Sequence, residues 1–197
     1  MISDYIVIDN AFSDPDTIRA GLLSMEYYSN EEQSLPGVRC AVDNNKPLGF
    51  WRGFRTDDLA RQYPNKTKHI VEPLFTKIFS GYNISTDFII YGHIAPAFLN
   101  KILPDESKWH TDSIEASFAG VVYLNKHPVK NSGTSLKLNN KVIEIENIYN
   151  RLVFYNARVL HSPGVCFGES HADSRLTMTI FTKELIIQSA EKYEALY

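Results

Sequence analysis

The chain has 197 residues, 44% of them hydrophobic and 22% charged, with a formal net charge of −3. That composition fits one ordinary globular domain, large enough to bury a core without disulfides or structural metals. A weakly acidic chain with no Lys/Arg run gives no reason to expect a nucleic-acid surface, and no apolar run approaches the length that spans a bilayer. The opening residues, Met1-Ile2-Ser3-Asp4-Tyr5, have neither the basic nor the apolar part of a signal peptide. Cys40 and Cys166 stand far apart without metal-ligand neighbours and read as free thiols, so a reducing, cytoplasmic setting is expected. Nothing in the sequence specifies an oligomeric state.

Tyr5-Ile6-Val7-Ile8-Asp9 is a short β-branched run and predicts a strand. Ser13-Asp14-Pro15-Asp16 then carries helix-start chemistry, and Ile18, Leu22, Leu23 and Met25 recur at helical spacing. From Asn30 to Gly53 breakers dominate (Leu35-Pro36-Gly37, Asn44-Asn45-Lys46-Pro47, Gly49), which predicts a long loop. It holds Arg39, Trp51 and Arg52, with Arg55 just beyond; such side chains form either a lid over a ligand or a plug on the core edge. Asp57 to Ser80 predicts a helix in two pieces, split around Tyr63-Pro64-Asn65, with Ile70, Val71, Leu74, Phe75 and Ile78 as the buried stripe.

From Ile84 the character changes. Short β-rich runs follow at Asp87–His93, Ala97–Leu103, Phe118–Leu124, Thr134–Leu138, Val142–Ile145, Arg151–Tyr155, Gly164–Phe167 and Arg175–Thr182. Turn clusters such as Pro104-Asp105-Glu106-Ser107 and Asn131-Ser132-Gly133 separate them. Short strands without long helices between them predict antiparallel sheets in a mainly β (α+β) fold. The expected architecture is a double-stranded β-helix, or jelly roll, with N-terminal helices packed on one sheet. Residues 1–83 are then helical support and loop, 84–183 the jelly-roll core and 184–197 a C-terminal tail or helix, all in one domain.

Three places carry chemistry: His110-Thr111-Asp112, His161, and Arg175-Leu176-Thr177. His-x-Asp alone is uninformative, since His171-Ala172-Asp173 repeats it. His110 differs from His171 in having a distal His and then an Arg strand downstream. Two His and one carboxylate on one face of a metal leave three octahedral positions open, as in non-haem Fe(II) oxygenases. A 2-oxo acid can fill two of them and O2 the third. The far carboxylate of such a co-substrate needs a cation, and Arg holds a carboxylate bidentately while staying charged when desolvated. Thr177, two residues on in a strand, faces the same way as Arg175. Plainer readings stand beside these: Arg175 as a surface partner of Glu169 or Asp173, and Tyr123 as core. His69, His93, His127 and His171 read as surface or locally bonded, and Trp109 and Phe154 as packing.

The order His110-x-Asp112, His161, Arg175-x-Thr177 resembles the Fe(II)/2-oxoglutarate-dependent dioxygenases, specifically the prolyl-4-hydroxylase-like branch, over roughly Ile84 to Thr182. Tyr123-Leu124-Asn125-Lys126, the turn at Ser132-Gly133-Thr134, and Asn150-Arg151-Leu152-Val153-Phe154 ahead of the distal His are similar to that branch too. The resemblance implies Fe(II) on His110, Asp112 and His161, and 2-oxoglutarate with its far carboxylate shared by Arg175 and Tyr123. It implies O2 as oxidant, ascorbate as accessory reductant, and hydroxylation of a small molecule or a peptide or protein side chain. Asn100 stands where the branch often has a tyrosine that contacts the co-substrate. Gly168-Glu169-Ser170-His171-Ala172-Asp173 lengthens the interval from His161 to Arg175 and reads as an inserted loop. A carboxylate at Asp112 speaks against a halogenase. Two other classes stay open: a non-catalytic jelly-roll binding protein with a structural metal, and a cupin-like metalloenzyme without 2-oxoglutarate. Substrate contacts are expected from Arg39, Trp51, Arg52 and Arg55.

Overall fold

Strand β1 (Tyr5–Ile8) leads into helix α1 (Pro15–Leu23). The Asp14 carboxylate accepts the Thr17 N–H at 3.0 Å, and Pro15 sits where a missing N–H costs nothing, so the predicted helix start holds. The computed structural model describes residues 4–29, 32, 53–80, 82–85, 87–101, 109–112, 116–183 and 186–189. Strand β2 (Phe54–Arg55) precedes α2 (Leu59–Gln62) and α3 (Pro64–Ile78). The two helices divide at Tyr63, because Pro64 cannot continue α2 but can open the next helix.

The β-rich part runs through β3 (Tyr82–Ser85), β4 (Phe88–Ala95), a 3₁₀ helix (Ala97–Lys101), β5 (Phe118–Tyr123), β6 (Thr134–Leu138), β7 (Lys141–Ile145), β8 (Leu152–Asn156), β9 (Leu160–Pro163), β10 (Arg175–Thr182) and β11 (Ile186–Ser189). Three sequence expectations need correction. The run from Ala97 is a 3₁₀ helix and not a strand: Pro96 ends the β4 ladder, and the Leu99 N–H turns back to the Pro96 carbonyl. The strand expected at Gly164–Phe167 lies earlier, at Leu160–Pro163; the Gly164 and Val165 N–H groups go instead to the carbonyls of Gly133 and Asn131. The tail or helix expected over 184–197 contains a strand where the structure describes it, since β11 pairs antiparallel with β3.

A six-stranded sheet has the order β1-β8-β5-β10-β4-β2, a three-stranded sheet the order β7-β6-β9, and a two-stranded sheet pairs β11 with β3. Residues directly opposite in an antiparallel pair share a face, so the large sheet divides cleanly. One face carries Ile90, Ile94, Val122, Leu152, Phe154, Leu176, Met178 and Ile180, packed against Leu22 of α1 and Val71, Leu74 and Phe75 of α3. The opposite face carries Ala119, Tyr123, Val153 and Tyr155, packed against Leu136 of β6 and Ile145 of β7. The large and small sheets thus face one another with the helices outside, as a double-stranded β-helix requires.

Two buried asparagines tie this frame together. The Asn150 side chain exchanges two hydrogen bonds of 2.9 Å with the backbone of Phe12, fastening the N-terminal segment beside β8. The Asn125 amide donates to the Ser174 carbonyl and its oxygen accepts the Leu176 N–H, both at 2.8 Å. Those bonds bracket Arg175 and fix the start of β10.

Candidate active site

His110 and His161 face each other through a two-way backbone bridge, with N–H to carbonyl distances of 2.9 and 2.8 Å. Their imidazole centroids are 4.3 Å apart. Asp112 is placed by its own N–H, which donates to the Ala157 carbonyl at 2.9 Å. One donor atom from each of His110, Asp112 and His161 lies within 4.8 Å of the others. Donors bound to one ion at about 2.1 Å sit roughly 3 Å apart in adjacent positions, so modest side-chain rotation closes the set. His161 is oriented for this: its Nδ1 lies 2.9 Å from the Val159 carbonyl, which only accepts, so Nδ1 carries the proton and Nε2 is left as a lone-pair donor. That Nε2 is 3.6 Å from Asp112 Oδ2.

The electrostatics agree with a site that wants a cation. Asp112 Oδ2 is sealed from solvent and makes no hydrogen bond. Burial pushes the Asp112 carboxyl up to about 6, against the opposing charges of His110 and Arg55. Burial lowers the His161 imidazole below its usual value, keeping it neutral and able to ligate. A divalent ion with open positions would satisfy all three side chains. His110 is exposed and His161 buried, so the site opens to solvent on the His110 side.

Arg175 is 3% exposed. Its Nε donates to the Ser132 carbonyl at 2.7 Å and its Nη2 to the Gly133 carbonyl at 3.2 Å. No carboxylate among the described residues pairs with it, which removes the surface reading; Asp173 is occupied by Ser170 and the Glu169 N–H. The turn that supplies those carbonyls admits only glycine at 133, since a Cβ there would fall 1.8 Å from the Ile145 carbonyl oxygen. Beside Arg175, Thr177 is fully buried and its Oγ1 has no hydrogen-bond partner. Tyr123, also fully buried, lies under the Arg175 guanidinium, 5.8 Å from ring centroid to Cζ. Its hydroxyl donates to Thr134 Oγ1 at 2.7 Å. A buried cation without a counter-charge, beside an unmet hydroxyl, is chemically the seat of an anion. Thr134 escaped the sequence reading; only the facing of β6 onto the large sheet brings it here.

Other expected residues fare differently. Both ends of the Asn100 amide are taken by the Cys166 backbone, at 2.7 and 3.0 Å, so Asn100 clips the 3₁₀ helix to the segment after β9. These bonds use one of the two Nδ2–H groups and hold the amide against Cys166. Arg55 stands in one cross-strand row with His93, Thr177 and Tyr123. Its guanidinium lies 5.3 Å from the Tyr91 ring centroid, and its charge acts on Asp112. His93, set aside in the sequence, therefore belongs to the same face as the anion seat; alternation along β4 was the signal that could have found it. Arg39, Trp51 and Arg52 lie outside the described residues, as does Cys40. His171 is drawn away from the site, its ring 5.6 Å from that of Tyr27. Phe154 is packing, stacked on Phe118 at 5.3 Å. Cys166 is a free, buried thiol.

No family model matches the chain, and no curated protein matches it in sequence. Solved structures do. A prolyl-4-hydroxylase from Pseudomonas putida superposes with a TM-score of 0.52 over 92% of each chain at 16% identity. The non-haem α-ketoglutarate-dependent epimerase SnoN from nogalamycin biosynthesis gives 0.60 over 98% of this chain and 84% of its own, at 12% identity. The fold is that of the 2-oxoglutarate/Fe(II) oxygenases. A Trichoplax adhaerens prolyl hydroxylase, solved with a peptide fragment of the hypoxia inducible factor oxygen degradation domain, gives 0.54 over 91% of this chain and 83% of its own, at 18% identity. SnoN has also been solved with Fe3+, α-ketoglutarate and nogalamycin RO. In this oxygenase fold the three clustered ligand-type side chains and the buried arginine come from the same short stretches that the sequence singled out.

Proposed function

We propose that the chain is an Fe(II)- and 2-oxoglutarate-dependent oxygenase, a hydroxylase of a peptide or protein side chain or of a small molecule. His110, Asp112 and His161 hold the metal; Arg175 and Thr177, with Tyr123 and Thr134 behind them, receive the far carboxylate of 2-oxoglutarate. The observation that carries this reading is Arg175, a buried cation with no carboxylate partner among the described residues. A purely structural metal needs no such cation, and a cupin-like enzyme without 2-oxoglutarate has no anion to place there. When bound, iron and 2-oxoglutarate supply the oxidation: O2 is consumed, 2-oxoglutarate becomes succinate and CO2, and a C–H bond becomes C–OH.

The chain's own residues position and exclude. The Val159 carbonyl fixes the His161 tautomer, and the Ala157 carbonyl holds the Asp112 backbone. Leu136, Val121, Val153 and Tyr155 line an apolar interior between the sheets that keeps water from the arginine. Arg55, Tyr91 and His93 share the face of the anion seat and form the near wall of the substrate opening. One structure of this fold was solved with a peptide fragment and another with nogalamycin RO, which supports leaving both substrate kinds in the proposal. No helix among the described residues is long and apolar enough to cross a membrane; a cytoplasmic setting suits an enzyme that needs reduced iron.

The test is succinate release from 2-oxoglutarate by purified protein given Fe(II) and ascorbate, with no added substrate. Slow succinate formation that Asp112→Ala abolishes is expected. Absence of succinate in the unmutated protein, or equal amounts from both, overturns the reading.

A further inference from the structure

Tyr155 is a buried phenol that none of the roles above uses as a polar group. It lies on the inner face of β8, opposite Ala119 of β5, and is 3% exposed. Its ring packs on the His161 imidazole, with centroids 4.9 Å apart and planes at 56°. Two residues beyond it the Ala157 carbonyl accepts the Asp112 N–H, and four residues before it the Arg151 carbonyl accepts the Tyr123 N–H, each at 2.9 Å. That places it between the three ligand-type residues and the anion seat, along the course a 2-oxo diacid must take to touch both. Its hydroxyl makes no hydrogen bond with any described residue and, unlike Thr177 Oγ1 and Asp112 Oδ2, is not among the sealed polar atoms, so a ligand between the sheets can reach it. Buried phenols ordinarily find a partner, because an unmet hydroxyl costs stability that Phe at the same place would not lose. The Asn100 side chain is clipped to the Cys166 backbone by one Nδ2–H and by its Oδ1.

We propose that Tyr155 is a co-substrate-binding residue whose hydroxyl donates to the carboxylate at the 2-oxo end of 2-oxoglutarate, the end held beside His161. This rests on the 2-oxoglutarate reading given above. The 2-oxo end is chosen because the ring lies against His161 and because Asp112 is held two residues on, at the Ala157 carbonyl. Leu152 and Phe154 point to the opposite face of the same strand, so alternation along β8 commits Tyr155 to the inter-sheet space.

Tyr155→Phe deletes the hydroxyl and keeps the ring. The experiment is anaerobic titration of the Fe(II)-loaded protein with 2-oxoglutarate, by calorimetry, while recording the visible absorption of the Fe(II)–2-oxo acid chelate. The expected result has three parts: a metal-free thermal midpoint that is unchanged or higher, affinity for 2-oxoglutarate weakened about tenfold, and a shifted chelate band. Affinity within about twofold of the unmutated protein overturns the proposal. So does weakened affinity with an unmoved band, which would put the contact at the far carboxylate. A metal-free midpoint lowered by more than about 5 °C also overturns it, because the hydroxyl would then be a core partner. Failure of the unmutated Fe(II)-loaded protein to bind 2-oxoglutarate is a different result: it defeats the oxygenase reading itself.

Discussion

Replacing Arg175 with methionine separates the anion seat from the fold, because the structure sets two opposed terms against each other. In the protein without co-substrate, Arg175 satisfies the Ser132 and Gly133 carbonyls. Losing those bonds costs about 1–3 kcal/mol for each carbonyl left without a donor. Against this, the same change removes a buried charge that has no counter-charge, which by itself is worth several kcal/mol. The two largely cancel, and Arg175→Met is expected to alter unfolding free energy by no more than about 2 kcal/mol. Binding has no such cancellation. A forked pair of charge-assisted bonds to the far carboxylate contributes about 3–4 kcal/mol, so affinity for 2-oxoglutarate should fall on the order of 10²–10³-fold. Arg175→Lys should recover part of it, since a point charge cannot fork. Urea denaturation of the metal-free proteins and anaerobic 2-oxoglutarate titration of the metal-loaded ones give the two numbers. A folded Arg175→Met protein that binds 2-oxoglutarate within about threefold of the unmutated one would refute the reasoning.

Asn125→Ala breaks both bonds that bracket Arg175. It should cost roughly 2–4 kcal/mol in urea denaturation and also raise the KM for 2-oxoglutarate; stability lost with KM unchanged would mean that Asn125 does not position the arginine. The Asp112 carboxyl has a folded value, about 6, above its ordinary 3.8. A carboxyl raised by folding stabilises at low pH, and that contribution disappears as pH rises through about 4 to 6. Metal-free protein should therefore lose stability relative to Asp112→Asn over that window, by on the order of 2–3 kcal/mol; a pH-independent difference would contradict the burial argument.

Much of the frame is legible in the sequence where local chemistry decides it. Asp14-Pro15 starts α1, Pro64 divides α2 from α3, and the bounds of β6 and β10 coincide with the short β-rich runs that predicted them. The misreadings share a cause. Ala97-Phe98-Leu99 is an apolar run too short for its period to be read, and Pro96 decides it as a 3₁₀ turn. Strand β9 is hidden because His161 and Ser162 occupy positions where a core strand would be apolar. Strand β11 depends on a partner far away in sequence, β3, which no local pattern announces.

The site divides in the same way. The order His110, Asp112, His161, Arg175 can be read along the chain, because each residue's chemistry is carried by its own type. Thr134, Tyr155, Tyr91 and His93 cannot, because their roles arise from register between strands. Arg55 reaches Tyr123 only through a row that crosses β2, β4, β10 and β5. Asn100 shows the converse: its type suits a ligand donor, yet a backbone 66 residues away takes both ends of its amide.

The central claim is that one metal and one 2-oxo acid meet at His110, Asp112 and His161 with Arg175 behind them. Anaerobic addition of 2-oxoglutarate to the Fe(II)-loaded protein, followed by visible absorption, tests it most directly. A saturable chelate band is expected, at one 2-oxoglutarate per iron and one iron per chain, absent in Asp112→Ala and weakened in Arg175→Met. Iron binding without a band, or a band that survives Asp112→Ala unchanged, would contradict the claim.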